Sequence, residues 1–200
     1  QSLMRGAALA FGVWAALATG GVADEVDLPV IMETPEGWPW LLGDVTGKLG
    51  SKKIAWQTYD FSIGAMDASV WAGDPWGPVE FYLTGYTPGD PQSTRMGLRV
   101  TAGFGDTLRL GQASGPVEVV LTLGADDNGP RLSSEGRSAS LSIASLVPSA
   151  DNQNYGHVTG TITARLCPVM WDGKSCQDFS ARFDTDMQFD NEFPIAFGTE

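Results

Sequence analysis

Histidine is nearly missing from this chain: among 200 residues there is one, His157. A zinc motif built on paired histidines, such as H-E-x-x-H, is therefore excluded. His157 opens an alternating stretch, which fits a partly exposed structural histidine better than a general base. Cysteine is almost as scarce, with only Cys167 and Cys176. The pair lacks both the C-x-x-C spacing of a redox centre and the companion ligands of a metal site. Basic residues are outnumbered two to one, 12 Lys and Arg against 24 Asp and Glu. Phosphate recognition rests on Lys and Arg, so neither nucleic acid nor an anionic lipid surface is an expected partner. No apolar run approaches the roughly 20 residues of a membrane-spanning helix.

Catalytic motifs are thin as well. Gly111-Gln112-Ala113-Ser114-Gly115 carries its serine one place late for a nucleophile elbow. Gly103-Phe104-Gly105 lacks the third glycine and the following helix of a dinucleotide site. No catalytic residue and no cofactor is expected. Hydrolases that run on two carboxylates alone stay open in a chain this acidic, although no pair stands out.

Residues 1–23 read as a secretory signal-peptide helix. Arg5 precedes an apolar core of 13 residues, Gly6 to Ala18, and small residues lead to a cleavage point before Asp24. Cleavage leaves 24 acidic against 11 basic residues, a net charge of −13, with no cysteine at the new terminus for a lipid anchor. The mature chain is expected in the periplasm or outside the cell, without stable membrane insertion. Residues 24–43 contain Pro29, Pro35 and Pro39 and read as an extended lead-in, with Trp38 and Trp40 packing over an edge of the core. Residues 44–200 then form a single domain.

That domain is dominated by a period of two. Val158, Gly160, Ile162, Ala164 and Leu166 share one parity, against Thr159, Thr161, Thr163 and Arg165. Phe179, Ala181, Phe183, Thr185, Met187 and Phe189 alternate likewise with Ser180, Arg182, Asp184, Asp186 and Gln188. Such alternation marks half-buried strands. Asp172-Gly173 is a turn dipeptide between the two runs, and a hairpin brings Cys167 and Cys176 together, predicting a disulfide. Further strands are expected near 45–49, 54–59, 69–71, 78–86, 95–102, 107–110 and 116–123, with returns from 131 and over 138–146. The 37 glycines and prolines suit many turns. Short strands at this spacing predict an all-β fold, an antiparallel β-sandwich of about nine or ten strands.

Gly136-Arg137-Ser138-Ala139-Ser140-Leu141-Ser142-Ile143, followed after a polar loop by Gly156-His157-Val158-Thr159-Gly160-Thr161-Ile162-Thr163-Ala164-Arg165-Leu166, resembles a pattern of bacterial exported β-sandwich domains of unknown function. The likeness spans about a quarter of the chain, and its first part departs by one residue from regular spacing. It implies compartment and fold and carries no active-site residues.

Three features point toward binding. Trp71 and Trp76 flank Gly73-Asp74-Pro75, while Trp171 stands beside Asp172 in the hairpin loop. Trp71, Trp76, Trp171 and Asp172 together make a candidate platform for a sugar ring or a protein partner. The alternative is that these tryptophans fold over the domain as lids. Asp184, Asp186, Asp190 and Glu192, and separately Asp126-Asp127-Asn128, are oxygen clusters of the kind calcium uses. Their competing readings are a solvated strand face and an ordinary turn. The expected work is non-catalytic binding or structural interaction, with a carbohydrate-binding module and a carboxylate-dependent hydrolase as alternatives.

Overall fold

Each alternating run becomes a strand with one face in the core. The structure, a computed structural model, describes residues 36–63, 67–73, 77–93, 95–124, 129–169, 175–189 and 195–199, all within the unit Glu33–Glu200. The expected signal helix and most of the lead-in lie outside the described residues. Twelve strands occur among the described residues, against the nine or ten expected: β1 (Trp40–Leu49), β2 (Lys52–Asp60), β3 (Val70–Gly73), β4 (Val79–Gly85), β5 (Leu98–Gly105), β6 (Gly111–Gln112), β7 (Val117–Thr122), β8 (Arg131–Ser133), β9 (Ala139–Pro148), β10 (Tyr155–Val169), β11 (Gln177–Phe189) and β12 (Gly198–Thr199). The protein is all-β, and no helix occurs among these residues.

β10 and β11 pair in register from Tyr155↔Gln188 to Leu166↔Gln177. One step further, Cys167 and Cys176 are joined by the predicted disulfide. There β10 exchanges partners: on its other edge it leaves β9 and pairs with β8 through Cys167↔Ser133. β11 makes a similar exchange at its own end. It pairs with β1 as far as Gly43↔Thr185 and then with β3 through Gln188↔Trp71 and Phe189↔Ala72. The pairings therefore return on themselves, β10–β8–β7–β5–β4–β3–β11–β10. The β11–β3 pairing is parallel, so the sheet is mixed rather than antiparallel throughout. A hairpin reading cannot foresee this, because the two segments are over a hundred residues apart.

Two local departures have plain causes. The strand expected at 107–110 is replaced by a single bridge at Leu108 and the short β6. Gly105 and Gly111, at φ +74° and +89°, turn the chain out of the extended region on either side. Gln188, expected to face solvent, is buried. Its amide oxygen accepts from the Ala68 N–H at 3.1 Å and its amide nitrogen donates to the Tyr155 hydroxyl at 3.1 Å. That hydroxyl in turn donates to the Asp60 carboxylate. This network fastens the place where β11 passes from β1 to β3, and it satisfies polar groups that burial would otherwise penalise.

The core is one cluster fed by nearly every strand, and its rows are those the alternation predicts. Trp56, read as a core residue, is 1% exposed, and its indole N–H donates to the Met96 carbonyl. Phe183 reaches Phe81 of β4 with ring centroids 5.7 Å apart. A bulge in the β9–β10 register between Thr159 and Gly160 adds one residue to β9 and resets its parity. Leu146 consequently points inward together with Ile143.

Candidate functional site

Inward-facing parity fills the core, and the opposite parity of β9, β10, β11, β1 and β2 builds one broad outer face. Register aligns its residues in rows across the strands. One row runs Lys53, Lys48, Ser180, Thr163, Ser140, and the next runs Ala55, Thr46, Arg182, Thr161, Ser142. The third runs Gln57, Asp44, Asp184, Thr159, Ser145, and beyond it lie Asp186, His157 and Val147. The first two rows, from β2 across to β10, line a shallow groove of about 780 Å³. Its floor is made of short side chains, and its charged groups are Lys48, Lys53 and Arg182.

These cations stand out in so acidic a chain because they take no part in the ion pairs of this face. Among the described residues, none of the three has an ion-pair or hydrogen-bond partner for its side chain. By contrast Arg165, on the same face, holds Asp178 at 2.7 Å. The hydroxyls are ordered by one another: Ser140 Oγ and Thr163 Oγ1 lie 2.8 Å apart.

The far rows carry the opposite charge. Asp44 stands directly across from Asp184. His157 bridges the acids of β11, with Nδ1 2.8 Å from Asp186 and Nε2 3.0 Å from Asp184. Both ring nitrogens thus face carboxylate oxygens of β11. Asp184 and Asp186 do belong to a strand face, as one sequence reading has it, while Asp190, Glu192 and residues 126–128 lie outside the described residues. Among the described residues no group of three or more His, Cys, Asp or Glu is arranged to hold a metal ion.

Of the expected platform, Trp71 is 40% exposed on β3. Its ring stacks on that of Tyr82 of β4, centroids 4.0 Å apart and planes 12° from parallel, and the Tyr82 hydroxyl donates to Glu80. Sequence reasoning missed Tyr82, although the alternation of 78–86 already turned it away from the core. Trp76, Trp171 and Asp172 lie outside the described residues. Of the other tryptophans, Trp38 packs edge-on against Phe61 at 5.9 Å, whereas Trp40 is 40% exposed. β1 already begins at Trp40, within the stretch read as a lead-in.

The cationic groove was missed too. Outward parity was legible for each strand, but Lys48 and Arg182 become neighbours only through the β1–β11 pairing. No protein-family profile, curated protein or solved structure matches the chain.

Proposed function

We propose that the chain is an exported, non-catalytic interaction domain, folded as a two-sheet β-sandwich, whose working surface is the outer face of β9–β10–β11–β1–β2. The observation that carries this reading is the groove: three cations that join no ion pair among the described residues, and a floor of hydroxyls, in a protein of net charge −12. Cations held together outside any ion pair repel one another, and that cost is recovered when a partner supplies anions in contact with them. Contact between strands that do not pair supports the sandwich: Phe81 of β4 packs against Phe183 of β11. The disulfide is compatible with an oxidising compartment.

Lysine acetylation footprinting tests the surface. Lys48 and Lys53 are compared with Lys52, which lies on the opposite side of β2, across a protein-concentration series and with added polygalacturonate. Selective protection of Lys48 and Lys53 is expected in at least one series. Equal rates at all three lysines throughout would overturn the proposal.

The Trp71–Tyr82 stack favours a second reading, carbohydrate binding at that edge. Soluble glycans would then change tryptophan fluorescence in the parent protein and not in Trp71→Ala. The absence of any spectral change would dismiss it.

A further inference from the structure

We infer that the partner of this face is a second copy of the chain, packed face to face about a two-fold axis. The inference rests on the outer face being the working surface. That face is divided by charge along the strand direction. Lys48, Lys53 and Arg182 occupy one half, and Asp44, Asp184 and Asp186 the other. The division falls between Arg182 and Asp184 on β11, the central strand of the five. Consider a two-fold axis lying in the interface, perpendicular to the strands, at that point. It sets Arg182 of each copy against Asp184 of the other, Thr46 against Asp44, and Ser180 against Asp186. An axis parallel to the strands would instead oppose like charges. Interfaces with two-fold symmetry must be self-complementary, and this charge pattern is.

A linear polyanion is the competing occupant, and it suits the face less well. Following Lys53, Lys48 and Arg182 across the strands, it would leave Asp44, Asp184 and Asp186 unmatched, whereas a second copy lays the basic half of each face over the acidic half of the other. The short Ser, Thr and Ala side chains also let a second sheet approach closely. At about 4.8 Å between strands, the face measures roughly 25 Å by roughly 25 Å, so two copies would bury roughly 1,200 Å², at the lower bound for specific interfaces. A concentration-dependent dimer follows rather than an obligate one. Its ion pairs act at contact, while the repulsion between two acidic chains acts at longer range and is screened beyond about 8 Å at physiological salt.

Sedimentation equilibrium at that salt tests the inference with three variants, all altered at exposed positions. Lys48→Glu/Lys53→Glu/Arg182→Glu makes the face acidic, and Asp44→Lys/Asp184→Lys/Asp186→Lys makes it basic. Each alone is expected to be monomeric where the parent dimerises, and an equimolar mixture is expected to recover the two-copy species. The swap Arg182→Asp/Asp184→Arg in one chain exchanges both charges across the axis and is expected to dimerise like the parent, which keeps the test alive if a triple variant fails to fold. A parent that stays monomeric to about 1 mM, roughly −4 kcal/mol of affinity, would overturn the inference. So would a mixture that stays monomeric, or triple variants that dimerise as the parent does. A monomeric parent whose Lys48 and Lys53 are nonetheless protected by polygalacturonate would overturn the second copy while leaving the working surface intact.

Discussion

Gly160 is where the packing can be tested most sharply. It faces the core on β10, directly opposite Phe183 of β11 and beside Ile143 of β9. A Cβ built there would lie 2.2 Å from the Ser142 carbonyl oxygen and 2.3 Å from Cζ of Phe183. Carbon atoms pack comfortably at about 3.5–4.0 Å, so the Phe183 ring would have to move by more than 1 Å. The carbonyl belongs to a paired strand, and moving it would strain the β9–β10 ladder. Overpacking a tight core costs about 1–3 kcal/mol, and a clash with both ring and backbone belongs at the upper end. For a domain of this size, about 3 kcal/mol corresponds to roughly 6–12 °C in Tm. Gly160→Ala is therefore expected to melt that much below the parent by circular dichroism. Thr161→Ala, one residue along on the outer face, should cost less than about 0.5 kcal/mol. In a Phe183→Leu background the ring part of the clash is gone and the carbonyl part stays. The same glycine substitution should then cost less without becoming free, a coupling that a double-mutant cycle measures. A Gly160→Ala protein with the parent's Tm, or a cost unaffected by Phe183→Leu, would refute the packing described.

Two further outcomes follow from the fold. Replacing Cys167 and Cys176 together by serine reopens a ring closed between residues nine apart in sequence; the chain-entropy relation gives a loss of about 2–3 kcal/mol, seen as a Tm lower by roughly 5–10 °C, and an unchanged Tm would speak against the clamp. The Tyr155 hydroxyl is held well above its ordinary pKa of 10.0, first by burial and then by its hydrogen bond to Asp60 and the charge of that carboxylate. The unfolded chain releases this proton near pH 10 while the folded chain keeps it, so the contribution to stability is constant below pH 10 and declines as pH rises beyond it. Urea titrations at pH 9 and 11 should show that decline, and it should be shallower in Tyr155→Phe. That variant also removes the donor to Asp60 Oδ2, leaving the carboxylate only the Ser62 N–H on Oδ1, and should lose about 1–3 kcal/mol at pH 7.

Local order was largely legible because a period of two records burial residue by residue. The rows Val158–Leu166 and Phe179–Phe189 enter the core as their alternation indicates, and Thr185 shares that parity because its hydroxyl meets Thr58 Oγ1 at 2.6 Å. What alternation does not carry is the identity of distant neighbours. Nothing in 70–73 announces a parallel pairing with 188–189, and nothing in β1 announces β11. The charged face is invisible for the same reason. Its cations come from three strands, and only the register of Lys48↔Ser180 and Thr46↔Arg182 gathers them. Trp71 was legible as an exposed aromatic, but its stacking partner came from the next strand rather than from the hairpin loop.

The most direct trial of the working surface is a plug. Thr161 lies exposed in the groove, and Thr161→Trp fills that space without altering charge. Thr101→Trp places the same ring on β5, in the row of Trp71 and Tyr82. Acetylation of Lys48 and Lys53 is then compared with and without the condition that protects them in the parent. Loss of protection in Thr161→Trp and its persistence in Thr101→Trp is the predicted result; protection that survives Thr161→Trp would contradict the assignment of this face.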